Sequence, residues 1–145
     1  MKNDLKNFYV FIGDKRSWEV SVSKNIWGYP NKFEKAWTGI NLGDFCAFYV
    51  TAPVSKIIGF GKIVERYIDE SLIWPDEKLF KRSLWKYKIK FEKIFVIDEW
   101  DNGIKVSAKV MLNGGVKHIK KELFEEWTEE AKKKWNVKII PEITK

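Results

Sequence analysis

The chain has one cysteine, Cys46, and one histidine, His118, in 145 residues. A lone thiol excludes an intrachain disulfide framework and a cysteine-based metal cluster, and its apolar surroundings read as a small core residue in a reducing compartment. One imidazole flanked by lysines leaves an acid–base relay without marked partners, so His118 reads as a surface or structural residue and no catalytic residue is assigned. No apolar run approaches the length that crosses a bilayer, and Met1–Asp4 is polar and leads straight to a strand. The expectation is a cytoplasmic protein with no signal peptide and no membrane partner. Internal repeats and low-complexity segments are absent too. The length is that of one domain spanning residues 1–145, with room for a genuine core.

Aromatic residues and positive charge are what the chain has in plenty. Phe, Trp and Tyr make up 16% of it, with eight tryptophans, more than a small core needs. The net charge of +7 is uneven: residues 1–80 carry 11 Lys+Arg against 10 Asp+Glu, and residues 81–145 carry 16 against 10. A basic half is the usual electrostatic footprint of a nucleic-acid binder, because lysines displace counterions from phosphates. Lysine richness also serves solubility or thermal stability.

Periodicity gives the elements. Phe8–Ile12 is a buried strand, and Arg16–Lys24 a short helix with Trp18 and Val22 on one face. Lys32–Gly39 is a helical turn burying Phe33, Ala36 and Trp37. Phe45–Val50 and Ile57–Ile68 are strands, the second with Gly59 and Gly61 marking a bulge or a close approach. Residues 69–83 read as a polar loop holding Trp74-Pro75-Asp76, and a loop that long is usually functional. Strict alternation over Trp85–Phe91 predicts a strand with aromatics inward and Lys86, Lys88 and Lys90 outward, continuing through Ile94–Ile97. Asp101-Asn102-Gly103 and Asn113-Gly114-Gly115 are turns, and Ile104–Val106 is a short strand. Leu123, Trp127, Ala131 and Trp135 mark a C-terminal amphipathic helix, which Thr128 followed by two glutamates divides in two. The sum is an α+β domain: five or six strands, mixed or antiparallel, curled into a small β-barrel with two or three helices.

The stretch Ser23–Phe33 stands out. Trp27 is followed by Gly28, which leaves the indole uncovered, and Pro30 stiffens the exit. Asn25, Asn31 and Ser23, with the backbone at Gly28, supply hydrogen-bonding groups beside the ring. A flat aromatic ligand such as a nucleobase needs that combination; the alternative is that Trp27 is simply core. Acidic pairs at Asp69-Glu70 and Asp76-Glu77 open a different reading, a divalent cation serving a small nuclease or hydrolase. Gly59-Phe60-Gly61-Lys62 lacks the glycine spacing and following helix of a phosphate loop.

Asn25-Ile26-Trp27-Gly28, the aromatic strand before it, the Gly43-Asp44 turn into Phe48-Tyr49-Val50 and the later Trp74-Pro75 together resemble the EVE domain family. That family belongs to the PUA-like group and is related to the YTH readers of methylated adenine. The resemblance runs from about Phe8 to the last helix and implies a PUA-like barrel. It further implies a non-enzymatic reader, without cofactor or metal, of a modified base in DNA or RNA, with Trp27 and Trp74 as the two walls of an aromatic cage. The spacing departs from the YTH pattern in one place: Asn31 arrives early for the polar residue that follows the first cage tryptophan. Lys86, Lys88, Lys90, Lys117, Lys120 and Lys121 are the candidate phosphate contacts. Alternatives are a PUA-like module that recognises RNA shape without flipping a base, the metal-dependent hydrolase on residues 69–77, and an adaptor whose aromatic groove takes a peptide.

Overall fold

Strand β1 (Phe8–Gly13) carries no polar alternation because both of its faces are covered. Phe8, Val10 and Ile12 point to one side, where they pack with Phe60, Phe124 and Trp127; Tyr9 and Phe11 point to the other, among Trp18, Trp27 and Phe48. The period of two in side-chain direction thus divides one apolar run between two cores. The computed structural model that gives this arrangement describes residues 6–137 except Met111 and Asn113. The expected polar lead at Met1–Asp4, and Asn113 of the expected turn, lie outside the described residues.

The other strands are β2 (Ile26–Tyr29), β3 (Phe45–Val50), β4 (Lys56–Ile68), β5 (Tyr87–Val96) and β6 (Val116–Ile119). They form one six-stranded sheet in the order β2-β5-β4-β3-β1-β6. β1 lies parallel to β3 and every other pair is antiparallel, so the sheet is mixed. Trp27 on one edge strand stacks parallel to Phe11 of β1, with ring centroids 6.0 Å apart, a contact possible only if the sheet curls with this side inward. The Trp27 indole N–H also donates to the Gly115 carbonyl at 3.0 Å. A side chain of one edge strand is thereby bonded to the entrance of the other, and the sheet becomes a half-barrel. Four helices complete the described chain: α1 (Lys15–Lys24), α2 (Glu34–Thr38), α3 (Pro75–Phe80) and α4 (Lys121–Trp135). The small α+β architecture with a mixed, curled sheet expected from sequence is found, as a half-barrel with four α-helices where two or three were expected.

Several local expectations need correction. The segment 69–83 contains α3, which Pro75 at its first position and Glu77 at its third start as strong helix signals do. α4 is one helix rather than two: Thr128 Oγ1 donates back to the Glu125 carbonyl at 2.9 Å instead of capping a new start. In the turn around α2, Phe33 is 46% exposed and Ala36 is exposed, so of the three residues expected to be buried only Trp37 packs against the core. Ile104 makes an isolated bridge to Ile57 rather than a strand. The irregularity expected near Gly59 and Gly61 is present as a register shift between Phe60 and Gly61.

Candidate functional site

Where the two edges of the half-barrel approach each other, a cleft of about 260 Å³ opens between the end of β1, the start of α1, β2 and the loop before β6. Trp27, Trp74 and Trp85 line it, together with Gly13, Gly28 and Gly115, and with Asp14 and Asp76. The volume lies just under the range of about 300–1,000 Å³ typical of sites for drug-sized ligands. It suits one flat ring system.

Glycine is required at two of these positions. A Cβ on Gly13 would run into the Trp27 ring, and one on Gly28 would lie 2.6 Å from Trp85 Cβ and 3.1 Å from the Trp74 ring. The uncovered neighbour expected of Trp27 therefore exists, but what Gly28 makes room for is the other two indoles. Trp27 itself is 5% exposed and stacks on Trp18 at 4.2 Å.

Trp74 and Trp85 come from the two ends of one segment, and a single carboxylate joins those ends. Glu77 is fully buried. Its Oε1 accepts the backbone N–H groups of Ile73 and Trp74 at 2.9 and 3.2 Å, and its Oε2 those of Leu84 and Trp85 at 2.9 and 3.1 Å. Four charge-assisted bonds offset the cost of burying the charge. The Trp74 indole N–H donates to Ser21 Oγ of α1 at 2.9 Å, which fixes the ring. Lys88 completes the support. Its ammonium lies 5.6 Å from the Trp74 ring centroid and donates to the carbonyls of Asp69 and of Trp85, the latter at 2.9 Å. Burial lowers the Lys88 pKa, and the Glu77, Asp69 and Glu70 carboxylates oppose that shift.

The cage expected from sequence changes accordingly. Trp27 and Trp74 both line the cleft, but their rings meet at 74° with centroids 6.4 Å apart. A base sandwiched between two rings needs them parallel and about 7 Å apart, so these two do not form opposite walls. Trp85, expected to be core, is a half-buried cleft residue standing at 80° to Trp74. Gly28 is at the cleft as expected, whereas Ser23, Asn25 and Asn31 do not line it. Asn25 is the left-handed residue ending α1, and Asn31 binds the Ser83 carbonyl and the Lys86 N–H, pinning the Pro30 turn to the segment before β5.

None of the six expected phosphate-binding lysines lines the cleft. Lys90, Lys120 and Lys121 are exposed, while Lys86 and Lys117 are half-buried. Lys88 is fully buried and committed to carbonyls, so it cannot contact a phosphate. The alternation over residues 85–91 marks two faces of β5, but the segment carrying α3 folds over the face assigned to solvent. Two of the four acidic residues of the stretch are committed in similar fashion. Glu77 is a structural clamp, and Asp69 accepts the Ser71 N–H and hydroxyl, bonds that lower its pKa. Among the described residues no group of three or more His, Cys, Asp or Glu side chains is placed to hold a metal ion.

Ser21, the structural roles of Glu77 and Lys88, and the placement of Trp85 were missed in the sequence. One signal was available: Trp74-Pro75-Asp76-Glu77 has a proline at the first helical position and a glutamate at the third, and such a glutamate turns back to the N–H before the helix.

No family model matches the chain. A UPF0310 protein of Saccharolobus solfataricus is 31% identical over 90 residues, which are 58% of this chain and 58% of that protein. One of Pyrococcus horikoshii is 26% identical over 96 residues, 60% of this chain and 66% of that protein. The chain thus spans about three fifths of the length of the curated relatives it matches. Among solved structures, the YTH domain of mmi1 in an RNA complex superposes with a TM-score of 0.61 at 10% identity, over 91% of this chain and 87% of that one. The YTH domain of a Zygosaccharomyces rouxii protein in complex with N6-methyladenosine RNA gives 0.57 at 14% identity, over 88% and 87%. An ASCH protein of Zymomonas mobilis gives 0.56 at 13% identity, over 84% and 94%. The chain therefore shares the fold of these YTH and ASCH domains.

Proposed function

We propose that this chain is a non-enzymatic nucleic-acid-binding module that accommodates one base of a DNA or RNA strand, a modified one, in the cleft of Trp27, Trp74 and Trp85. The observation that carries this reading is the cleft itself: a space for one flat ring system, lined by three indoles and held by a buried clamp. Stacking on an indole is worth about 1–3 kcal/mol per base and is available to any base. The structural similarity to a YTH domain bound to N6-methyladenosine RNA supports the same reading, as does the resemblance of the Asn25–Gly28 and Trp74-Pro75 motifs to EVE domains. Asp76 at the cleft, beside Asp14 whose Oδ1 already accepts the Ser17 N–H, favours a base edge that presents N–H groups, such as an exocyclic amine, over one that presents carbonyls. A reading of RNA shape without base flipping has one observation in its favour: the exposed Lys90, Lys120 and Lys121 lie outside the cleft.

Titrating methylated and unmethylated adenosine and cytidine nucleosides while following tryptophan fluorescence tests the proposal. One nucleoside should quench the signal saturably, and Trp85→Ala should weaken that binding at least fivefold, the low end of about 1 kcal/mol for a lost stack. Trp85 is half-buried, so the variant should remain folded. Trp27→Ala, at 5% exposure and stacked on Trp18, should instead lose about 3–5 kcal/mol of stability, as core truncations do. Absence of binding to every nucleoside would leave RNA shape as the better reading.

A further inference from the structure

The segment between Trp74 and Trp85 begins and ends on the cleft, and Glu77 ties its two ends together through four backbone N–H groups. Whatever lies between those ends must stand beside the opening, since the six residues of α3 extend only about 9 Å. The outer part of this segment is Lys78-Leu79-Phe80-Lys81-Arg82, and all five residues are exposed. Leu79 at 70% and Phe80 at 60% are the most exposed large apolar side chains among the described residues. They stand with three cations in a run of five that holds no acidic residue.

We infer that this face is where the strand flanking the bound base runs: Phe80 stacks on a neighbouring base, and Lys78, Lys81 and Arg82 contact the adjoining phosphates. The inference rests on the base-binding reading of the cleft and extends it from one nucleotide to its neighbours. Charge decides the occupant. Centres of protein–protein contacts are depleted of lysine, whereas single-strand binders combine an aromatic platform with cations that track the backbone. An exposed phenylalanine among three cations has the second composition. The six lysines singled out from the sequence do not include these three cations, because residues 69–83 read there as a polar loop whose acidic pairs carry its chemistry.

The test compares free N6-methyladenosine and 5-methylcytidine with short single strands carrying the same nucleosides between unmodified neighbours, DNA and RNA alike. The variants are Phe80→Ala and Lys81→Asn/Arg82→Ser. Asparagine suits the left-handed backbone at position 81, where φ is 57°. The native protein should bind the strand more tightly than the nucleoside. Phe80→Ala should reduce strand affinity about fivefold or more. Lys81→Asn/Arg82→Ser should flatten the log-affinity against log-salt slope by about 1.4 for two lost phosphate contacts. Nucleoside affinity should be unchanged in both. Strand affinity equal to native in both variants would overturn this inference and leave the cleft reading standing. Parallel loss of nucleoside and strand binding would overturn it too, since the segment would then act only through the shape of the cleft. Strand binding that depends on these residues without any nucleoside binding would uphold the face and remove the cleft reading. If neither probe binds the native protein, both fall. Self-association of the native protein that Phe80→Ala abolishes, with strand binding unaffected, would assign the face to a second copy instead.

Discussion

Replacing Glu77 by glutamine keeps the size of the side chain and removes half of what it does. The native carboxylate offers two acceptor oxygens to four backbone N–H groups: Ile73 and Trp74 on one, Leu84 and Trp85 on the other. An amide has one acceptor. Its oxygen should stay with the Trp74 side, where the N–H is fully buried, turning the NH2 group toward the N–H groups of Leu84 and Trp85. Donor then faces donor twice. A buried donor without a partner costs about 1–3 kcal/mol, which gives about 2–6 kcal/mol for two. Leu84 and Trp85 are half-buried, so water can reach them and the lower half of that range applies, about 2–4 kcal/mol. Because Trp74 and Trp85 ride on the clamped backbone, the cleft should loosen as well. Urea unfolding followed by tryptophan fluorescence measures the first effect, and nucleoside titration of the folded variant measures the second. A stability loss below about 1 kcal/mol would refute the clamp. Glu77→Asp is the companion: it keeps the charge but is one methylene too short to span both ends, and it should fall between native and Glu77→Gln.

Lys88→Glu would place a carboxylate against the carbonyls of Asp69 and Trp85 and near Glu77, so it should abolish folding, visible by circular dichroism, rather than merely weaken phosphate contacts. In Lys88→Met the ammonium is exchanged for an apolar end of similar length, and the protein should stay folded with an altered Trp74 fluorescence spectrum. Tyr29 is buried, and burial raises its phenol pKa well above the ordinary value of about 10; Tyr9 is likewise pushed up to about 12. The folded state therefore holds these protons more tightly than the unfolded chain, a contribution fully present below about pH 10 and lost progressively above it. Tyr29→Phe should leave stability at neutral pH within about 1 kcal/mol and make the alkaline decline shallower, as urea midpoints between neutral and alkaline pH would read; an unchanged slope would remove Tyr29 as its source.

Elements whose environment is set by their own period were legible in the sequence. β1 could only be a strand covered on both faces, because five consecutive apolar residues leave no side for solvent. The four-residue recurrence from Leu123 to Trp135 could only be a helix with one buried face. Gly28 was legible as a residue beside the Trp27 ring, though not as the place where Trp74 and Trp85 approach, and the pairing of Trp27 with Trp74 came from the resemblance of the motifs around them. What local pattern does not contain is the cover that another segment provides. Lys88 alternates with aromatics as a solvent-facing residue does, and it is buried because residues 69–85 fold back over that face of β5. Trp85 alternates as a core residue does, and it opens onto the cleft because β5 begins two residues later and Glu77 holds its backbone at the rim. Both outcomes depend on one carboxylate meeting N–H groups up to eight residues away, and on a sheet curling until Trp27 reaches the Gly115 carbonyl 88 residues further along the chain. Contacts at that separation have no period in the sequence, and only the tertiary structure decides them.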